Sequence, residues 1–509
     1  MVASAVAVIC IAVAGCSAKA SPVIRPSASP TPIFCDDNPG HYTPMPADCV
    51  VPTEAVTPSV IPTATIAPPT IDPNFALPTG LATLPPAVSG HGKTIYSAPK
   101  GAGVKLIGLG PDDTIYVLLE RPLPASKPTP TNKLVLPGVK ASVLAMRPDG
   151  SVRPGWPSAG VSISGYPYSF KVNEEGTVVV ASGVNPYGGQ AQDAQSSLTI
   201  TAIGSDGKVL PGWPYRTPAA AQSYDPELLV PGPGGIVCFL NVKPGASPFG
   251  YDVPMVLYCL GRDGKSMPGW PYSGSSLFSP AAGPDGTVYV AQTTSTDISA
   301  GVTSFPYRVL AIGQDGKPKL GWTPWARADN RGLTSILPTK NGRIYMLLGG
   351  DSGKAQLVTV DSTGKTLDDH PELGDAGTSP QYKDAVLASD GSLFVSIDDG
   401  LTAEFVNAYS PNGSQMTGWP QRIGGWGDIA VGSQGSVWVA WTVYGPGGST
   451  DQSSVVALFD KNGKLQPGYP IATDFLSWYH SYGLRVASDR TAYGTVLTAA
   501  GSKIVAFGR

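Results

Sequence analysis

The chain has 509 residues, 34 Lys and Arg against 37 Asp and Glu, a formal net charge of −3, and only 14% charged residues. It offers no basic field to attract nucleic acid, so nucleic-acid binding is excluded as a working class. Its length exceeds the usual single-core limit, and 62 Gly and 52 Pro accompany few capped 3.6-period apolar stretches, which leaves a turn-rich all-β chain of repeated units that bury their apolar faces against neighbours.

Ala5 to Ala14 (AVAVICIAVA) is a run of about ten apolar residues, too short to span a bilayer at ~1.5 Å per residue but suited to the core of a signal peptide. Val13-Ala14-Gly15-Cys16, followed by Ser17, resembles the bacterial lipobox, in which small residues fit the lipoprotein signal peptidase and the cysteine thiol receives diacylglycerol. Residues 1–16 are therefore expected to be an export signal, with Cys16 as the lipidation site and the membrane as a partner through the lipid. Residues 17–88 are dominated by Pro, Thr, Ser and Ala. They cannot bury enough apolar surface to offset ordering entropy and read as a disordered tether reaching up to ~3.1 Å per residue. Within it Cys35 and Cys49 enclose a short loop around Asn38-Pro39-Gly40. In an oxidising exported setting they are expected to pair, removing roughly 3 kcal/mol of loop entropy from the unfolded chain.

From residue 89 to 509 two short patterns alternate at a period of about 50, the range of propellers and solenoids. The first is a strand, a polar turn and an outgoing segment, Leu144-Ala145-Met146-Arg147-Pro148-Asp149-Gly150 leading to Pro154-Gly155-Trp156-Pro157. Copies stand at Asp206-Gly207 with Trp213, Asp263-Gly264 with Trp270, Asp315-Gly316 with Trp322, Asn412-Gly413 with Trp419 and Asn462-Gly463 with Tyr469. Val360-Asp361-Ser362-Thr363-Gly364-Lys365 is a degraded copy ending in His370-Pro371. The second pattern is a polar turn feeding an alternating strand, cleanest in Gly283-Pro284-Asp285-Gly286-Thr287-Val288-Tyr289-Val290, with relatives near Asp112, Glu175, Gly234, Asn341, Asp390, Gln434 and Asp489. Asx-Gly between β-branched and aromatic runs is a strong hairpin signal, because Gly accepts the positive φ of the tight turn. Each unit is two successive hairpins, four antiparallel strands lettered a to d from the inside outward.

Eight such units predict an eight-bladed β-propeller, since radial closure hides the sheet edges that an open stack exposes. The eighth unit supplies strands around Leu484–Ala487, Thr491–Val496 and Ser502–Phe507 but no Pro-Gly-Trp strand. Lys93-Thr94-Ile95-Tyr96-Ser97 is extended and lacks a hairpin partner, so it is expected to complete that blade and seal the ring. The Trp or Tyr at the end of each outer strand invites reading as a carbohydrate platform. Recurrence once per blade favours packing between blades instead, with the indole N–H reaching a backbone carbonyl. The Asp-Gly pairs read as turns, because the D-x-D-x-D-G series of calcium loops is absent.

On these repeats residues 90 to 509 resemble bacterial propellers of the quinoprotein-like (PQQ-like) repeat group. Asp361-Ser362-Thr363-Gly364-Lys365 fits part of that group's Ala, Asp, Thr-Gly-Lys and Trp signature, and the other copies keep Asp-Gly and Trp. The resemblance implies the fold. Quinone-binding members carry a vicinal Cys-Cys pair and a calcium site, neither visible in this sequence, so no cofactor is expected. Cys238 and Cys259 fall on strands b and c of the third blade, either as a cross-strand disulfide or as two buried thiols acting as small hydrophobes.

The a–b and c–d turns are short, whereas the b–c connections vary, with long ones at 121–140, 183–197 and 292–307. Alternation of strand direction puts b–c and d–a connections at one mouth of the channel, the default binding side. Approaching it are Tyr224, Asp225, Arg327, Asp329, Arg331, Tyr382, Lys383, Trp426, Asp428, Trp478, Tyr479, His480 and Tyr482, either ligand-binding candidates or side chains that merely solvate the mouth. Of four histidines only His480 falls there, so a three-histidine metal site is not available. No G-x-S-x-G, Walker or H-E-x-x-H motif is present. The function expected is that of a monomeric, membrane-anchored binding or scaffold protein holding an envelope protein, glycan or small ligand. The rival is a propeller lyase or glycosidase using paired acids among Asp225, Asp329 and Asp428, or His480 with Tyr482, which would require two carboxylates ~5–9.5 Å apart. A third reading is a structural envelope component similar to the propeller lipoprotein of the outer-membrane barrel-assembly machinery.

Overall fold

The computed structural model describes residues 84–89, 92–123, 139–183, 197–219, 229–244, 246, 253–293, 307–327, 332–349, 355–369, 381–398, 404–424, 427–444, 452–474, 476, 483–498 and 501–508. The chain divides into Met1–Pro68, which lies outside the described residues together with Cys16, Cys35 and Cys49, and Pro69–Arg509, which holds the fold.

Eight antiparallel sheets form, one per repeat. Blades one to seven span 103–163, 166–216, 229–275, 277–327, 332–369, 381–423 and 427–474, and blade eight combines 485–507 with 93–97. The first strands are Gly103–Leu109, Tyr166–Val172, Leu229–Pro231, Leu277–Ala282, Gly332–Pro338, Gln381–Leu387, Gly427–Val431 and Arg485–Val486. Each touches the first strand of the next blade, and the last touches the first, so the sheets stand in a closed ring.

Closure is made by the pairing expected of the N-terminal segment. Lys93–Ser97 runs antiparallel to Gly501–Phe507, with Lys93 opposite Ala506 and Ser97 opposite Lys503. The sequence pattern did not disclose a further addition, Val88–Ser89, which lies parallel to Ile471–Ala472 as a fifth, outermost strand of blade seven. Just before it, Leu84 packs on the cluster that contains Trp419 and Phe459.

The core consists of eight seams rather than one interior. Each cluster of buried apolar residues draws from two neighbouring blades: Tyr116 and Leu118 with Phe170 and Val180 between blades one and two, for example, and Leu106 and Val117 with Tyr493 and Ile504 between blades eight and one. A middle strand is therefore covered on both faces and reads as a continuous apolar run, as in Val237–Val242, where every residue is buried. Apolar alternation survives only at the strand ends.

The repeated tryptophans are packing residues. Trp156, Trp213, Trp270 and Trp419 are buried, and each donates its Nε1–H to a carbonyl in the c–d turn of the following blade, at Ser205 (2.9 Å), Arg262 (3.0 Å), Gln314 (2.9 Å) and Lys461 (3.0 Å). Trp322 differs and donates within its own blade to Val309 at 3.2 Å. Thr323 follows it where other copies have proline, and this residue's free N–H bonds Thr363 in the degraded turn of blade five at 2.8 Å. The seam keeps a hydrogen bond by exchanging an indole donor for a backbone one.

The Asp carboxylates of the turns are engaged locally. Asp149, Asp206, Asp263, Asp285 and Asp315 each accept the N–H two residues on, at 2.9 to 3.2 Å, which is the Asx-turn geometry. In blade three Cys238 lies opposite Cys259, their Cα atoms 4.1 Å apart, and the two are joined as a disulfide.

Candidate functional site

The two ends of the propeller are built differently. On one, all eight a–b turns are closed by the same bond, from the N–H of one residue to the carbonyl four residues on, as from Gly110 to Thr114 (2.8 Å), Asn173 to Thr177 (3.0 Å) and Gly432 to Ser436 (2.8 Å). The c–d turns repeat it, from Gly204 to Lys208 (2.9 Å) through Asp460 to Lys464 (3.0 Å). At the opposite end the connections range from the tight return between Thr498 and Gly501, or Ser276 alone between strands, to the stretch separating Pro122 from Val139.

Most sequence candidates on this second end lie outside the described residues: Tyr224, Asp225, Asp329, Arg331, Trp426, Trp478, Tyr479, His480 and Tyr482. Four read as members of d–a connections belong to strands instead. Arg327 ends the outer strand Trp325–Arg327 of blade four, opposite Tyr307. Tyr382 and Lys383 lie in the first strand of blade six, where Lys383 is the extra residue of a bulge between Tyr382 and Asp384. Asp428 is the second residue of blade seven's first strand.

Around Asp428 the structure assembles a cluster that sequence reading did not foresee. Asp384 and Asp428 each stand three residues before the end of their first strands, Leu387 and Val431, so the repeat places them at one level in neighbouring blades. The bulge at Lys383 re-aims the strand just before Asp384, as bulges do. Asp384 accepts the N–H of Ile429 at 3.0 Å and that of Ala385 at 2.8 Å. Asp428 accepts the N–H of Leu484 at 2.5 Å and neighbours Asp384, which opposes its ionisation.

The matching position of blade eight, three residues before Val486, is Gly483. A Cβ there would overlap the Asp428 carboxyl, so only glycine leaves room for it. Burial, and then the Asp384 carboxylate, push the Asp428 carboxyl well above the usual carboxylate range; Arg485 and the Leu484 N–H act in the opposite sense without cancelling the rise. The two neighbouring carboxyls can thus hold one proton on Asp428. Asp384, Gly483 and Arg485 were missed because each was read singly, although the shared repeat position of Asp384 and Asp428 was available to alignment of the units.

A second charged pair lies on an inner strand. Lys105 of blade one meets Glu120 at 2.9 Å, both largely shielded from solvent. Among the described residues no group of three or more His, Cys, Asp or Glu is arranged to hold a metal ion.

No family model matches the sequence, and no curated protein matches it. Among solved structures the chain is similar to prolyl oligopeptidase B from Galerina marginata at 12% identity and a TM-score of 0.44, over 78% of this chain and 55% of that one. It is similar to Kuenenia stuttgartiensis hydrazine synthase at 12% identity and a TM-score of 0.41, over 67% of this chain and 95% of that one. A puromycin hydrolase mutant complexed with PGG matches at 14% identity and a TM-score of 0.37, over 79% of this chain and 58% of that one. The chain spans a little over half the length of the oligopeptidase and the puromycin hydrolase, and at these values the likeness carries no information about chemistry.

Proposed function

We propose that the chain is an extracytoplasmic lipoprotein, anchored through Cys16 and held off the membrane by residues 17–88, whose eight-bladed propeller binds an envelope protein, glycan or small ligand at its variable end. The observation that carries this reading is the asymmetry of the two ends. One is fifteen copies of a single hydrogen-bonded turn, eight a–b and seven c–d, with carboxylates already engaged by backbone. The other holds the connections of unequal length, the usual location of recognition on a rigid scaffold. We infer that the repeat is of the quinoprotein-like kind, on Asp361 to Lys365 and on the tryptophans that dock in the next blade's turn.

A lyase or glycosidase remains the alternative reading of the same end. Asp384 and Asp428 fit its acid–base pair poorly: each carboxyl is taken up by a backbone amide of the neighbouring blade, that of Ile429 at 3.0 Å and that of Leu484 at 2.5 Å, and Gly483 lies against the Asp428 carboxyl.

Full-length chain with a C-terminal affinity tag, produced in an exporting bacterium and cross-linked in intact cells, tests the binding reading. A variant combining Trp426→Ala, Trp478→Ala, His480→Ala and Tyr482→Ala should lose the cross-linked partner, while Lys208→Ala with Lys265→Ala, on the opposite end, should retain it. Equal capture by both variants would refute the assignment of the binding face. Cys16→Ser should abolish incorporation of labelled fatty acid; unchanged incorporation would refute the anchor.

A further inference from the structure

Asp384 and Asp428 cross seams as well as meeting each other. Asp384 belongs to blade six and receives the Ile429 amide from blade seven at 3.0 Å. Asp428 belongs to blade seven and receives the Leu484 amide from blade eight at 2.5 Å. Two neighbouring carboxyls therefore bond backbone amides across two successive seams, linking blades six, seven and eight. The seam between blades eight and one is joined by hydroxyls instead, Thr495 receiving the Leu106 amide at 2.8 Å and Ser502 the Val104 amide at 2.6 Å. Hydroxyls hold no charge in the ordinary pH range, so the two joints respond to protons differently.

Two neighbouring carboxyls repel strongly when both are ionised, and one proton on the pair relieves that repulsion. The titratable and charged residues on the strands packed against that of Asp428 are Tyr382, Lys383, Asp384, Asp398, Tyr444 and Arg485. Of these, Asp384 opposes ionisation of Asp428 and Arg485 favours it. Gly483 lets the carboxyl approach the Leu484 amide with no side chain between.

We propose that Asp384 and Asp428 form a one-proton latch across blades six, seven and eight, shut while the pair shares a proton and released when that proton passes to solvent and leaves two facing negative charges. Asp428 and Leu484 stand at the start of blades seven and eight, just past their d–a connections, so the latch ties those blades together at the variable end.

Because the Asp428 pKa is raised in the folded protein, its stabilisation is complete below the unfolded carboxylate value of about 3.9 and is lost as pH rises through the raised folded value. Between those limits each opening releases one proton, and the opening equilibrium constant grows about tenfold per pH unit. Amide hydrogen exchange on the full-length protein, corrected for intrinsic rates between about pH 5 and about pH 8, reads this directly. Protection at Ile429 and Leu484 should fall by up to about tenfold per pH unit while protection at Leu106 stays level. Asp428→Asn, which keeps an acceptor for Leu484 and a donor to Asp384 without a titrating proton, should flatten the fall. Should that variant fail to fold, Asp384→Asn removes the repelling charge and should shrink it. A fall equal at Leu106, absent from the wild type, or unchanged in the variant that folds would overturn the latch.

Discussion

The indole N–H of Trp213 in blade two reaches the carbonyl oxygen of Arg262 in the last turn of blade three, 3.0 Å away. Trp156, Trp270 and Trp419 make the same reach into the blades that follow them. The recurrence that favours packing over a carbohydrate platform corresponds to a set of pins driven from each blade into the next.

Removing only the N–H should be milder than removing the ring. Trp213→Phe leaves the Arg262 carbonyl without its indole donor and should cost about 1–2 kcal/mol. Trp213→Ala also empties a buried site and should cost about 3–5 kcal/mol. Urea unfolding separates the two: no loss in Trp213→Phe would mean that the hydrogen bond contributes nothing, and equal losses that the ring contributes nothing of its own.

The glycine before the recurring Trp or Tyr offers a matched comparison, Gly212 before Trp213 and Gly468 before Tyr469. Gly212 has a φ of +84° and a Cβ there would overlap the Asp263 carbonyl, whereas Gly468 has a φ of +82° with open space beside it. Gly468→Ala should cost only the left-handed backbone term, about 1–2 kcal/mol. Gly212→Ala should cost more, because the seam must part, and thermal unfolding of the two variants should rank them in that order.

The turn carboxylates should titrate low. Hydrogen bonds from the Ser151 side chain and amide hold Asp149 below the ordinary carboxylate value, and those from Thr363 do the same for Asp361. With folded pKa values depressed, the contribution of these turns is present above the unfolded value and is lost as pH falls through the depressed one. Carboxyl NMR on aspartate-labelled protein should show both resonances moving late on acidification, and Ser151→Ala and Thr363→Ala should each bring the corresponding midpoint back up.

Gly483→Ala should be costly in a way that depends on its neighbour. The new Cβ overlaps the Asp428 carboxyl and should destabilise by about 1–3 kcal/mol. Combining it with Asp428→Ala removes the group it collides with, so the two losses should be far from additive in a double-mutant cycle. Additive losses would show that the two residues do not face each other.

The hairpins were legible because their chemistry is local: Asx-Gly turns, alternating strands and a recurring Trp leave the same trace in each unit. Ring closure was legible for a related reason, since blade eight lacked an outer strand and Lys93–Ser97 lacked a partner. Val88–Ser89 left no trace, because two residues pairing in parallel carry no periodicity. The meeting of Asp384 with Asp428 was hidden by the bulge at Lys383, which breaks the register of the strand, and by the 43 residues of intervening chain, 385–427, whose ends only the ring brings together. The aromatic candidates at 478–482 and their neighbours fall in connections, where local pattern is weakest and recognition most often sits.

A closed ring requires the N-terminal strand and the last strand to be neighbours in solution. Ser97 lies opposite Lys503, and the flanking bond from the Ala98 amide to the Ser502 carbonyl, 3.0 Å, marks the two as a non-hydrogen-bonded pair, in which Cα atoms approach to ~4.5 Å, a separation that a disulfide accepts. The variant carrying Ser97→Cys and Lys503→Cys should form an intramolecular disulfide under mild oxidation in the native protein, identified by mass spectrometry as one cross-linked peptide. Two free thiols persisting in natively folded protein would show that the two ends of the propeller do not meet.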